Sequence, residues 1–342
     1  MYGVTVIGKR YVLAERLGGG GYGEVFRAHD RNTGLTVALK LFRRGEPSML
    51  AYREAHVLYR LTGPHVLAVH NAETYDDVPC VATDVAPLGS AADHVGTLGA
   101  SPGQVLTWMA HLLDGLGACH AVGVLHRDVK AENLFLERLD HARLGDFGAA
   151  AELGPDGTAA AGGDHRVWPP EMFSEYKADV RGDVWAAGVT AWRLLTGAYP
   201  FQAATVDELH QLTLQGPGRL VDAAPHVPPA LARAIEKALR PNREGRYQTA
   251  KEMALALDLP RFHRLWRRIP PHPGHLECWD GPSADGRSPA TVCTRTTVGK
   301  GGKPAVAVDA RRGQQLSRVR EYCNASPPSR LAVNLRKVFK GL

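Results

Sequence analysis

The sequence predicts an α+β chain: a β-rich smaller lobe, a helical larger lobe and a small α+β module at the C-terminal end. Three observations carry that reading. Short β-type runs broken by glycine fill residues 11–85, helical periodicity takes over after Gly89, and a proline-dense break follows Pro260.

Within the first region one segment reads as a helix, with Leu50, Glu54, Val57, Leu58 and Leu61 on one face at i, i+4, i+7 spacing. After Gly89, Ser101, Pro102 and Gln104 supply an N-cap, a first-turn proline and a capping-box partner. Val105, Met109, Leu112 and Leu116 then form a core stripe, and Gly123 stops the helix. Residues 181–196 are apolar on nearly every face, which predicts a buried helix. Two more helices are expected at about 229–240 and 249–257. Residues 260–275, with Pro270-Pro271-His272-Pro273-Gly274, read as a linker. Beyond it, 290–298 and 304–310 predict a hairpin around 299–303, and Leu331, Leu335, Val338, Phe339 and Leu342 stripe a final helix. The expected division is thus 1–259, 260–275 and 276–342.

Composition narrows the class. A chain of 342 residues suits one large unit plus a modest second one, and 44% hydrophobic with 22% charged residues is ordinary for a soluble globular protein. There is no apolar run of about 18 residues and no apolar leader at the N-terminus, so a cytoplasmic protein is expected. Cys80, Cys119, Cys278, Cys293 and Cys323 are few, odd in number and lack a CxxC pair; neither a disulfide framework nor a structural zinc site is expected. Charge is unevenly spread: residues 261–342 hold 16 Lys/Arg against 5 Asp/Glu, or +11, and the rest of the chain stands at −5. That asymmetry suggests two units with different partners.

Phosphate chemistry enters with the run from Leu17 to Val25, which places glycines at 18, 20 and 23. Glycine lets backbone N–H groups approach phosphate oxygens with no Cβ in the way, although such a hairpin is as often only a turn. Val37-Ala38-Leu39-Lys40 ends a buried-looking strand on a lysine, which alone reads as a snorkelling edge residue. Glu54 changes the balance, because a carboxylate on an apolar stripe needs a cation facing it. The decisive stretch is His126-Arg127-Asp128-Val129-Lys130-Ala131-Glu132-Asn133, followed by Asp146-Phe147-Gly148. Phosphoryl transfer needs a carboxylate for the acceptor hydroxyl, oxygen ligands for Mg²⁺ and cations on the moving phosphate. Asp128, Asn133, Asp146 and Lys130 are that set.

With these motifs the chain resembles the eukaryotic-type Ser/Thr protein kinases of bacteria over about 11–257. The resemblance implies the bilobal protein kinase fold, ATP and Mg²⁺ as cofactors, and proteins with serine or threonine acceptors as substrates. It also implies residue roles. Gly18, Gly20 and Gly23 would cover the ATP phosphates, and Lys40, paired with Glu54, would hold the α- and β-phosphates. Asp128 would be the catalytic base, Lys130 would neutralise the transferred phosphate, and Asn133 and Asp146 would hold the metal. Leu17, Val25, Ala38 and Phe135 would sandwich the adenine, with Thr83 as gatekeeper and the Asp84–Ala86 backbone as hinge. Pro169-Pro170-Glu171 would close the activation segment with Arg246 pairing Glu171, and Asp183-Val184-Trp185 with Gly188 would anchor the catalytic loop.

Two departures stand out. Ala131 replaces a common proline, and Asp164 stands where the family has threonine; a carboxylate there is expected to bind Lys130 and repel Asp128. Asp164 motivates the rival reading of a weakly active kinase-fold scaffold. Thr158 is the lone hydroxyl between Gly148 and Trp168, and Arg127 is the type of residue that docks a phosphorylated loop. The basic C-terminal module suggests an acidic partner: nucleic acid, an acidic protein or the kinase lobe itself. Trp266, Trp279, Tyr322 and Phe339 are too widely spaced to favour a stacking platform for single strands.

Overall fold

The computed structural model describes residues 5–20, 23–43, 57, 59–61, 63–259, 266–282, 288–313 and 317–342. The smaller lobe is one antiparallel sheet of β1 (Val6–Ile7), β2 (Tyr11–Gly20), β3 (Gly23–Asp30), β4 (Thr36–Phe42), β5 (Val69–Tyr75) and β6 (Val78–Thr83), in the order β1-β2-β3-β4-β6-β5. Its two-residue alternation has a functional consequence. Val37 and Leu39 are wholly buried with Tyr11, Ala28, Cys80 and Ala82, so Ala38 and Lys40 take the other face of β4. Glu54 and most of the helix expected near it lie outside the described residues, although Val57 and Leu61 join the main core.

The larger lobe holds helices α1 (Ala91–Val95), α2 (Pro102–Ala121), α3 (Pro170–Glu175), α4 (Val180–Thr196), α5 (Val206–Gln215), α6 (Leu220–Ala223), α7 (Pro229–Ala238) and α8 (Ala250–Leu257). Ser101 caps α2 by accepting from Gln104 N–H. The reciprocal half of the expected capping box does not form, because the Gln104 side chain donates instead to the Leu139 carbonyl. Val105, Met109, Leu112 and Leu116 have no exposed surface, as their spacing predicts, and α4 is buried along most of its length. Three short strand pairs carry the loops that matter: β7 (Val124–Leu125) with β10 (Ala151–Glu152), β8 (Leu134–Arg138) with β9 (His141–Leu144), and β11 (Ala159–Ala160) with β12 (Lys177–Ala178).

The C-terminal module is a sheet of β13 (Arg267–Ile269), β14 (Glu277–Gly281), β15 (Ala290–Val298), β16 (Pro304–Arg312) and β17 (Ser317–Arg318), with β18 (Ala325–Ser326) also on β16. The expected hairpin is β15–β16, and the striped helix is α9 (Leu331–Gly341). β13 falls inside the stretch expected as linker, and Trp266 packs in the module core with Trp279, Val292, Leu335 and Val338. The module sits on the larger lobe. Arg336 Nη1 reaches Asp222 Oδ1 at 2.6 Å and the Val221 carbonyl at 3.2 Å, and the His226 ring lies 6.2 Å from Phe339 and 6.5 Å from Trp279. Among the described residues no helix is long and apolar enough to cross a membrane.

Candidate active site

Strand register lines up the nucleotide-side residues before any ligand is considered. Gly18 pairs with Val25, Val25 with Lys40, and Lys40 with Val81, while Ala38 pairs with Thr83. The glycines in this hairpin differ in what requires them. A Cβ on Gly23 would lie 2.1 Å from the Leu41 carbonyl oxygen, so packing alone demands glycine there. A Cβ on Gly18 would meet nothing within 4 Å, so its bareness leaves room over the sheet. Gly20 closes the register against Gly23.

Lys40 Nζ crosses between the lobes to Asp146 Oδ1 at 2.9 Å. Burial would push the Asp146 carboxyl up, but Lys40 outweighs it and holds the group below its ordinary range. Its backbone is left-handed, with φ 55°, which turns Phe147 inward against His126. The wall beside the expected hinge is lined by Leu67, Asp84, Val85, Ala86, Phe135 and Arg143. Leu17 is 43% exposed, and Val25, Ala38, Thr83 and Phe135 are half-buried.

The catalytic loop hangs from α4. The buried Asp183 carboxylate accepts from His126 N–H at 2.9 Å, Arg127 N–H at 2.8 Å and His120 Nε2 at 2.8 Å. These hold it below its usual range in spite of burial, which works the other way. They also hold Arg127 in the left-handed region at φ 62°, a cost accepted where neighbouring bonds over-determine the backbone.

Both oxygens of Asp128 are held. Oδ2 takes Lys130 Nζ at 2.8 Å and Asn133 Nδ2 at 3.0 Å, and Oδ1 accepts from the backbone N–H of Asp164 at 2.9 Å. Burial works to lower the Lys130 pKa, but its bond to Asp128 outweighs that and leaves it raised. Asn133 spends its amide nitrogen on Asp128, so the end that remains for a cation is the oxygen. With the Asp146 carboxylate this is an all-oxygen donor pair, the type a hard divalent ion takes.

Asp164 meets Lys130 as expected, at 3.5 Å, but its main partner is another cation: Arg166 grips the carboxylate through Nε at 3.0 Å and Nη2 at 2.5 Å. Burial pushes this carboxyl up, yet Arg166 holds it down at about 2. Its charge is therefore matched locally, and what it turns to Asp128 is an N–H rather than a second anion. Gly163 makes this approach feasible: with φ +81°, a Cβ there would sit 2.2 Å from the Arg127 carbonyl oxygen. The Arg127 guanidinium binds the carbonyls of Ala149, Ala150 and Ala160, and Thr158 turns its hydroxyl to Asp156 at 2.8 Å. Arg127 thus ties the activation segment down through backbone oxygens. Glu171 and Arg246 form a buried fork at 2.6 and 2.8 Å. Sequence reasoning missed Arg166, and also Arg143 and His70, which hold the Asp84 carboxylate at 2.5 and 2.7 Å.

A sheet lobe whose lysine reaches an aspartate beneath it, above a loop that fixes a second aspartate between lysine and asparagine, defines a two-lobed phosphotransferase. The chain matches the model of the protein kinase domain over residues 11–255, and it belongs to that family. It is 32% identical to the serine/threonine-protein kinase PknD of Mycobacterium tuberculosis over 267 residues, covering 72% of this chain and 39% of that protein. It is likewise 32% identical over 260 residues to PknH of Mycobacterium bovis, covering 72% of this chain and 43% of that one. A probable serine/threonine-protein kinase of Streptomyces coelicolor is 31% identical over 269 residues, with 74% and 40% covered. The chain spans about two-fifths of the length of these curated relatives.

Proposed function

We propose that this chain is a protein-serine/threonine kinase that transfers the γ-phosphate of ATP, with Mg²⁺, to hydroxyls on proteins. The observation that carries this is the Asp128 carboxylate, fixed by Lys130, Asn133 and the Asp164 N–H at 2.8 to 3.0 Å. ATP with its metal would supply the phosphoryl group and the neutralising charge. Asp128 orients the acceptor hydroxyl and takes its proton, while Lys130 stands beside it to meet the charge of the moving phosphate. Lys40, with Glu54 as its expected partner, grips the α- and β-phosphates; Asn133 and Asp146 hold the metal. Gly18, Gly20 and Gly23 cover the phosphates. Leu17, Val25, Ala38 and Phe135 enclose the adenine, and Thr83 with the Asp84 and Ala86 backbone borders it. The weak-scaffold reading loses its motive, because Arg166 matches the charge of Asp164.

We place the kinase unit at 1–259 and read 266–342 as a basic module whose acidic partner is the kinase lobe itself, supported by the Arg336–Asp222 pair. Purified chain with radiolabelled ATP, Mg²⁺ and a generic protein acceptor tests the activity. Asp128→Ala is expected to lose on the order of 10²-fold or more of transfer. Wild-type transfer by that variant would overturn the assignment of the base.

A further inference from the structure

The module contains a cluster that the kinase reading does not use. His272 and His275 lie on the loop after β13, and Cys278 and Cys293 face each other across β14 and β15 as register partners. One donor atom from each of the four, two ring nitrogens and two sulfurs, lies within 4.8 Å of all the others. Cys278 Sγ is 3.3 Å from His272 Nδ1 and 3.5 Å from His275 Nδ1, and Cys293 Sγ is 3.4 Å from His272 Nδ1. We propose that these four side chains bind one structural zinc ion, or a divalent ion of the same softness.

Geometry is the first support. With Zn–S of about 2.3 Å and Zn–N of about 2.0 Å, the edges of a tetrahedron of two sulfurs and two nitrogens run to roughly 3.3–3.8 Å, with sulfur to nitrogen at about 3.5 Å. The three sulfur–nitrogen separations, 3.3, 3.4 and 3.5 Å, lie at or just short of that edge. The convergence of the donor set is the second. Both thiols crowd His272 Nδ1, and Cys278 Sγ also reaches His275 Nδ1, so two sulfurs and two ring nitrogens turn toward one point. A cation at the centre satisfies all four donors at once. Each thiol gives up its proton as the ion binds, so two protons leave to solvent and two thiolates balance the ion's charge. Two thiolates with two imidazoles select zinc among common divalent ions, and four protein ligands make the site closed and structural.

The surroundings are built to hold the loop. His272 N–H points to Cys278 Sγ at 3.5 Å, and His275 N–H donates to the His272 carbonyl at 3.0 Å. Gly274 takes φ +79° between them, next to Pro273, so the turn that brings the two histidines together is locally fixed. The cysteines are buried and the histidines lie toward solvent, which leaves an entry path. Such an ion would staple the incoming chain to the β14–β15 hairpin, in a module whose apolar core is small. A second cluster, His65, His111 and His141, lacks sulfur, and two of its rings spend Nδ1 on the backbone of Ala142.

The test uses the full chain purified under reducing conditions, with no assay of phosphate transfer. Elemental analysis is expected to find one zinc per chain, lost in Cys278→Ser/Cys293→Ser, and cobalt(II) reconstitution to give thiolate charge-transfer bands with intense tetrahedral d–d absorption. That double variant can lose the module's fold with its metal, so the wild-type chain supplies a second readout. Cys278 and Cys293 should resist alkylation until a zinc chelator is added, while Cys323 does not change. Three results overturn the proposal: reduced chain that takes up neither zinc nor cobalt, a double variant that keeps its metal, or a Cys278–Cys293 disulfide in freshly reduced protein.

Discussion

The catalytic loop and the seam between the larger lobe and the C-terminal module are both buried, and they treat polar atoms in opposite ways. Around Asp128 and Asp183 each carboxylate oxygen meets a named donor between 2.8 and 3.0 Å. At the seam, both ring nitrogens of His226 and the Nε1 of Trp279 are buried with no hydrogen-bond partner among the described residues. Directional bonds fix the loop, because phosphoryl transfer tolerates little misplacement. The seam's aromatic contact is His226 of the lobe against Phe339 and Trp279 of the module, with centroids at 6.2 and 6.5 Å, where shape matters more than direction. Breaking the first should therefore cost more than breaking the second.

The sharpest break is on the paired side. Arg246 is fully buried and forks onto Glu171 while also binding the Arg240 and Pro241 carbonyls. Arg246→Ala strands a buried carboxylate and is expected to destabilise by about 3–5 kcal/mol. Urea unfolding measures this; a loss under 1 kcal/mol would mean that the fork holds position without holding stability.

The seam should reveal itself through pH. Burial, helped by Arg268, pushes the His226 pKa from 6.5 down to about 3. The unfolded chain takes up a proton below about 6.5 that the folded chain refuses until about 3. This contribution is thus whole above the unfolded value and lost as pH falls through that window. The slope is about 1.4 kcal/mol per pH unit, so wild type should lose about 2 kcal/mol between pH 7 and pH 5 that His226→Leu keeps. Equal losses in both proteins would show that the ring is protonated in the folded state, and so hydrated.

The same contrast explains what the sequence revealed. Asp128, Lys130, Asn133 and Asp146 fall within about twenty consecutive residues whose order already encodes the chemistry, and the stripes of α2 and α9 follow from period alone. Asp164 is legible as a departure with Lys130 as one cation for it, whereas Arg166, only two residues on, belongs to no motif that marks it as the main one. His70, Asp84 and Arg143 meet from three separate elements, and no local period announces such a meeting. The thiol–imidazole cluster escaped for a related reason: Cys278 and Cys293 become neighbours only through strand register, so a search for CxxC passes over them. Glu54, the partner expected for Lys40, lies outside the described residues, and the lysine is seen on Asp146.

The smallest expected effect tests whether charge or shape holds the module. A segment of +11 beside a lobe of −5 invites an electrostatic account, and Arg336 with Asp222 is the pair that embodies it. The two side chains are 22% and 50% exposed, so water and salt screen them, and exposed pairs of this type couple by about 0.2–1 kcal/mol. A double-mutant cycle of Arg336→Ala and Asp222→Ala should fall in that range and shrink as salt rises. Phe339→Ala should cost more than the pair's coupling and respond little to salt, since what it removes is a ring packed on Trp266, Trp279 and His226. If the order reverses, with the ion pair dominating and salt releasing the module, docking is electrostatic and the basic surface is what recognises the lobe. If the expected order holds, Arg336 sets where α9 lands while the aromatic seam keeps it there.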